Sequence, residues 1–120
     1  QVLKLVAAKL AKVKSGGKVF RYGGEEFTVV FPGKEQSQVY AELDSLRQSI
    51  ADYQIVIRQA IRKNKQSRNA KAKSQQKIIS VTISIGVATR LSKQNFEQTL
   101  KASDQALYRA KKNGRNNVSD

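Results

Sequence analysis

The chain has 120 residues, the size of one domain, so two independently folded units are excluded. Hydrophobic residues make up 39% and charged residues 27%, which fits a packed core rather than a disordered coil; no apolar run approaches the roughly 20 residues of a membrane-spanning helix, and no secretion signal opens the sequence. With no Cys and no His, disulfides, zinc knuckles, thiol nucleophiles and imidazole bases are excluded, while 23 Lys and Arg against 9 acidic residues give a net charge of +14 that favours anionic partners.

Val2, Leu3, Val6, Leu10 and Val13 recur at helical spacing opposite Lys4, Lys9 and Lys12, which predicts an amphipathic helix ending near Ser15-Gly16-Gly17. That helix starts at the first residue without a cap, and the chain holds no Met and opens on Gln1, so the expectation is a fragment of a longer product. Val19 to Tyr22 and Phe27 to Phe31 are β-branched and aromatic runs separated by Gly23-Gly24-Glu25-Glu26, the pattern of a β-hairpin with a four-residue tip. From Glu35 to Ile61 the apolar positions Val39, Leu43, Leu46, Ile50, Ile57 and Ile61 predict one long helix. Between Arg62 and Lys77 there are seven basic residues and no acidic one, which reads as a basic linker, insertion or frayed helix extension.

Ile79, Val81, Ile83, Ile85 and Val87 alternate with small or hydroxyl residues, a strand of period two near a sheet centre. Phe96, Leu100, Ala106, Leu107 and Ala110 mark a last helix, stopped by Asn113-Gly114, and Asn117-Val118 adds a short final strand. The order predicts an α/β (α+β) sandwich, a mainly antiparallel sheet with helices on one side. Tyr22, Phe27, Phe31, Phe96 and Tyr108 are expected to pack in the core or on the sheet.

Two segments carry chemistry. The run Arg21-Tyr22-Gly23-Gly24-Glu25-Glu26-Phe27 puts adjacent carboxylates on a glycine bend, where backbone N–H groups can approach an anion and hard oxygen ligands suit Mg²⁺ bridging to phosphates. An ordinary polar hairpin turn has the same composition. At the other end, Tyr108 to Asn116 gathers cations on a helix C-terminus; these complement the helix dipole, and Lys111 and Arg115, four apart, would also converge on a polyphosphate.

Together with the strand Ser80 to Ala88 and the stretch Ala102 to Asn116, the hairpin resembles the GGDEF family of diguanylate cyclases, here in the GGEEF variant. The resemblance implies a single, N-terminally incomplete GGDEF domain over 1–120 with a basic insertion at about 62–77, of ferredoxin-like, nucleotidyl-cyclase-like architecture. It implies an enzyme that joins two GTP into cyclic di-GMP, with Mg²⁺ (or Mn²⁺) as cofactor and a second copy of the same domain as partner. Gly23 and Gly24 would lie against the nucleotide, Glu25 and Glu26 would hold the metal, Glu25 would activate the attacking hydroxyl, and Lys111 and Arg115 would bind phosphate. An upstream sensor or regulatory domain is implied, a cytoplasmic location is expected, and neither nucleic acid nor membrane is an expected partner of this segment.

The family pattern also has parts without a counterpart here: an upstream strand with a metal-binding Asp, and an Asn and Asp that hold guanine. Their absence predicts a fragment that is weak or inactive alone. The family's inhibitory product site would fall on Lys14 and Gly17, which lack its Arg and Asp, so none is expected. Two alternatives stand beside the enzyme: a regulatory module that binds nucleotide or protein without turnover, and non-specific nucleic-acid binding through the basic surface.

Overall fold

A computed structural model describes residues 2–60 and 74–120. Val6 and Leu10 of α1 (Val2–Ala11) are its inward positions, and they meet the fully buried Ile50 of α2 (Gln36–Ala51). Removal of a side chain such as Ile50 from water contributes about 1.5–3 kcal/mol, which is why the helical stripe rather than propensity fixes how α1 lies. Val39 and Leu43, further back on α2, form a second cluster with Val118.

The glycine-tipped hairpin forms as the sequence predicts, with β1 (Lys18–Arg21) antiparallel to β2 (Phe27–Val30) and Arg21 opposite Phe27. The helix expected from Glu35 to Ile61 stops at Ala51, and Ile61 lies outside the described residues. After the cap at Asp52 the chain enters β3 (Ile55–Ala60), antiparallel to β4 (Ser74–Ile79). Ile55, Val56 and Ile57 are three consecutive β-branched residues, stiff at χ1 and better placed opposite Ile79, Ile78 and Lys77 than in a helix. Ser74 to Lys77, read as linker, are therefore strand, and the rest of that basic stretch lies outside the described residues. β3 and β4 pack on each other and make no substantial contact with another element.

The expected strand from Ile79 to Val87 is divided: Ile79 closes the β3–β4 ladder, and beyond it only β5 (Ile85–Gly86) is paired among the described residues, in parallel with β6 (Val118–Ser119). The described strands thus make three separate two-stranded sheets, two of them antiparallel. Alternation still sorts the side chains: Val81 and Ile83 join the α1–α2 cluster, and Ile85 and Val87 join the one around Val39. Gly86 faces the other way, against α3 (Phe96–Lys112), where a Cβ would collide with Leu107 N and the Ser103 carbonyl oxygen. Helices therefore flank both faces rather than one, because the small residues of this strand admit α3 at backbone distance.

Asn95 starts α3 with a capping box that the hydrophobic periodicity did not announce: its side chain accepts from Gln98 N–H at 2.8 Å, and Gln98 Oε1 accepts from Asn95 N–H at 2.9 Å. Phe27 and Phe31 are partly buried in the clusters as expected, but Tyr22, Phe96 and Tyr108 are 59%, 61% and 68% exposed. Tyr22 sits beyond the last ladder pair, Phe96 is the first residue of its helix, and Tyr108 turns away from the buried Ala106 and Ala110. Among the described residues no helix is long and apolar enough to cross a membrane.

Candidate functional site

The hairpin tip is closed by two backbone bonds, Tyr22 N–H to the Glu26 carbonyl at 2.9 Å and Glu26 N–H to the Gly23 carbonyl at 3.1 Å. Gly23 and Gly24 have φ of 70° and 51°, the left-handed region that glycine enters at least cost. A Cβ at either would meet nothing within 4 Å, so the glycines serve the bend itself and leave open space beside it. Arg21 donates Nε and Nη2 to the Gly24 carbonyl at 3.2 and 2.8 Å and staples the tip.

At the other end, α3 stops at Asn113, and Arg115 N–H returns to the Ala110 carbonyl at 3.0 Å, a six-to-one closure across Gly114. Lys111 lies in the last helical turn and Arg115 just past the stop, both exposed.

Between the two strand pairs lies a cavity of about 1130 Å³, and Glu25, Glu26, Lys111 and Arg115 all line it. Its walls include β2 on one side and residues 81–90 on the other, with apolar side chains of α1 and α2 such as Val6 and Leu43. Among the described residues β2 has a strand partner along one edge only and 81–84 has none, so backbone donors and acceptors on both walls lack strand neighbours there. Gly23 and Gly24 form the bend next to the lining but are not part of it. Lys14 and Gly17 lie apart, before β1; Gly17 sits where a Cβ would approach Phe31 Cε1 to 2.8 Å, so a side chain there requires that ring to shift.

Charge in the cavity is mixed: Glu25 and Glu26 at the tip and Lys111 and Arg115 at the helix end share its lining with Lys34, Glu35, Arg90 and Asp104, and no salt bridge joins any of these in the described residues. Two exposed carboxylates are a hard-oxygen donor set that fits Mg²⁺, which keeps waters and takes phosphate oxygens to fill its shell. They do not make a closed cage, and among the described residues no cluster of three acidic, His or Cys side chains occurs. The braces around Arg115, contributed by Asn117 and Arg47, were not visible to spacing arguments; Asn at the residue after a left-handed turn was the one available signal.

Residues 1–117 match the family described as "Diguanylate cyclase, GGDEF domain". Diguanylate cyclase VdcA of Vibrio cholerae is 29% identical over 119 residues, covering 98% of this chain and 31% of that protein. Diguanylate cyclase A of Treponema denticola is 32% identical over 100 residues, 82% of this chain and 22% of that protein. The chain thus spans less than a third of the length of these curated relatives. In fold it resembles the coiled coil and GGDEF domain of DgcB from Caulobacter crescentus, solved in complex with c-di-GMP (TM-score 0.68, 23% identity, 99% of this chain and 56% of that one). It also resembles the active GGEEF domain of a diguanylate cyclase from Vibrio cholerae (TM-score 0.64, 24% identity, 98% of this chain and 65% of that one).

Proposed function

The chain belongs to the GGDEF domain family of diguanylate cyclases, and from that premise we propose that its cavity is half of a GTP-condensing site that yields cyclic di-GMP when two copies face each other. The observation that carries this reading is the gathering of Glu25, Glu26, Lys111 and Arg115 on one cavity. In it, Lys111 and Arg115 draw the triphosphate in and hold it by charge-assisted hydrogen bonds. Gly23 and Gly24, free of side chains, let the nucleotide lie flat against the bend. Glu25 and Glu26 hold a divalent cation, Mg²⁺ or Mn²⁺, and Glu25 accepts the proton of the attacking 3′-hydroxyl. The bound cation supplies neutralisation of charge at the α-phosphate and departing pyrophosphate. Each copy presents one GTP, so turnover needs the homodimer. A neighbour in fold described as an active GGEEF domain supports Glu at position 25 as a working residue.

The unpaired edges of β2 and 81–84 are read as the place of a further strand, the one that in the family brings another acidic ligand. With two carboxylates at the hairpin tip, no cluster of three among the described residues and an open cavity, the 120-residue chain is expected to turn over weakly by itself. The same openness favours the second reading, a regulatory module that binds nucleotide without turnover. Incubation of the full-length protein with GTP and Mg²⁺, with nucleotides resolved by chromatography, separates the two: cyclic di-GMP is expected, and Glu25→Gln is expected to lower its rate at least about 100-fold with an unchanged circular dichroism spectrum. Tight GTP binding without product selects the regulatory reading, and full turnover by Glu25→Gln rejects the site.

A further inference from the structure

Arg115 stands on a strained stretch of backbone. Gly114, Arg115 and Asn116 have φ of 107°, 63° and 50°, three successive left-handed residues of which only the first is glycine. A Cβ in that region crowds its own carbonyl, so Arg115 and Asn116 keep this conformation because their surroundings over-determine it.

Those surroundings come from three parts of the chain. Asn117 Nδ2 donates to the carbonyl oxygens of Ala110 and Arg115, each at 2.9 Å. From the segment between β4 and β5, Ser84 Oγ accepts Asn116 N–H at 3.2 Å. From α2, Arg47 Nη1 donates to Asn116 Oδ1 at 2.8 Å and to its carbonyl at 3.4 Å, while Asp44 and Gln48 hold the Arg47 guanidinium at 2.8 and 3.1 Å. Arg47 is 14% exposed, so this brace lies close against the turn rather than out in solvent. The Arg115 guanidinium is the opposite: it is exposed, lines the cavity and meets no acceptor among the described residues.

We infer that Asn117 and Arg47 are positioning residues, which lock the left-handed turn and so aim the free guanidinium of Arg115 at anionic oxygen in the cavity. The inference rests on the reading that Arg115 meets the phosphates of a nucleotide. A cation on a loose loop must order backbone and side chain together when its ligand arrives; on a locked turn only the side-chain torsions remain to be ordered.

A double-mutant cycle on the full-length protein tests this, with GTP in Mg²⁺ and inorganic triphosphate as titrants in calorimetry. Arg115→Ala is expected to weaken both by about 10-fold, and Asn117→Ala by about 3- to 10-fold. In the Arg115→Ala background, Asn117→Ala should cost less than about twofold, because the residue it aims is gone. Arg47→Lys, which keeps the charge but not the planar fork, is the milder second variant and should follow the same pattern at about twofold. Equal losses in both backgrounds would assign these residues to general stability and overturn the inference, as would unchanged affinity in Asn117→Ala. Coupled triphosphate binding without cyclic product would remove the cyclase reading and leave this one; product without coupling would do the reverse. A wild-type protein that binds neither titrant overturns both.

Discussion

The acidic and cationic walls of the cavity reach the same backbone conformation by opposite means. At the hairpin tip the left-handed residues are Gly23 and Gly24, with open space where their side chains would be and Arg21 as the one side-chain staple. At the end of α3 they include Arg115 and Asn116, which pay a steric cost and are held by Asn117, Ser84 and Arg47. One bend is permitted by composition and the other is imposed by context. On the proposed function, the first would leave carboxylates free to adjust to a cation whose shell must be completed by ligands, and the second would deliver a charge already aimed.

Substitutions can break that contrast one wall at a time. Gly86→Ala should cost about 3 kcal/mol or more in denaturant unfolding, because its Cβ would collide with the backbone of Leu107 and push α3, with its cationic turn, off the strand. The hairpin register should survive it. Gly24→Ala should cost about 1 kcal/mol, since no atom obstructs the methyl and only the left-handed backbone opposes it. A cost near that of Gly86→Ala would mean that the tip is packed rather than free. Arg21→Ala, which removes two bonds to an exposed carbonyl, should cost less than about 1 kcal/mol yet speed hydrogen exchange at Glu26 N–H. Lys93, exposed at φ 68° and outside both walls, calibrates the conformational penalty itself: Lys93→Gly should gain about 0.5 kcal/mol.

Much of this frame was legible in residue order, for reasons that differ along the chain. The hairpin was readable because Gly23-Gly24 interrupts two β-branched runs, and the end of α3 because Gly114 follows its last apolar position. The helix expected through Ile61 was misread because Ile57 and Ile61 continue the spacing of Ile50, while the stronger local signal, Ile55-Val56-Ile57, needed a partner at Lys77 to Ile79 to make it a strand. Alternation from Ile79 to Val87 gave the faces correctly but not the pairing, since periodicity says which side is buried and nothing about which neighbour is present. The exposure of Tyr22 and Tyr108 was hidden for a related cause: an aromatic side chain suits the core only if the fold brings a surface to it. Of the site, the charges could be read from sequence, but their convergence on one cavity and the brace on Arg115 depend on contacts between segments up to 69 residues apart.

Among the described residues the strand pair β3–β4 makes no substantial contact with another element, whereas Val81 and Ile83, beyond it, pack with Val6, Leu10 and Ile50, before it. The segments before and after that pair are thus interleaved in packing and joined covalently through it. Severing the polypeptide between β3 and β4 should therefore leave a complex that migrates as one species on a sizing column and separates only in denaturant.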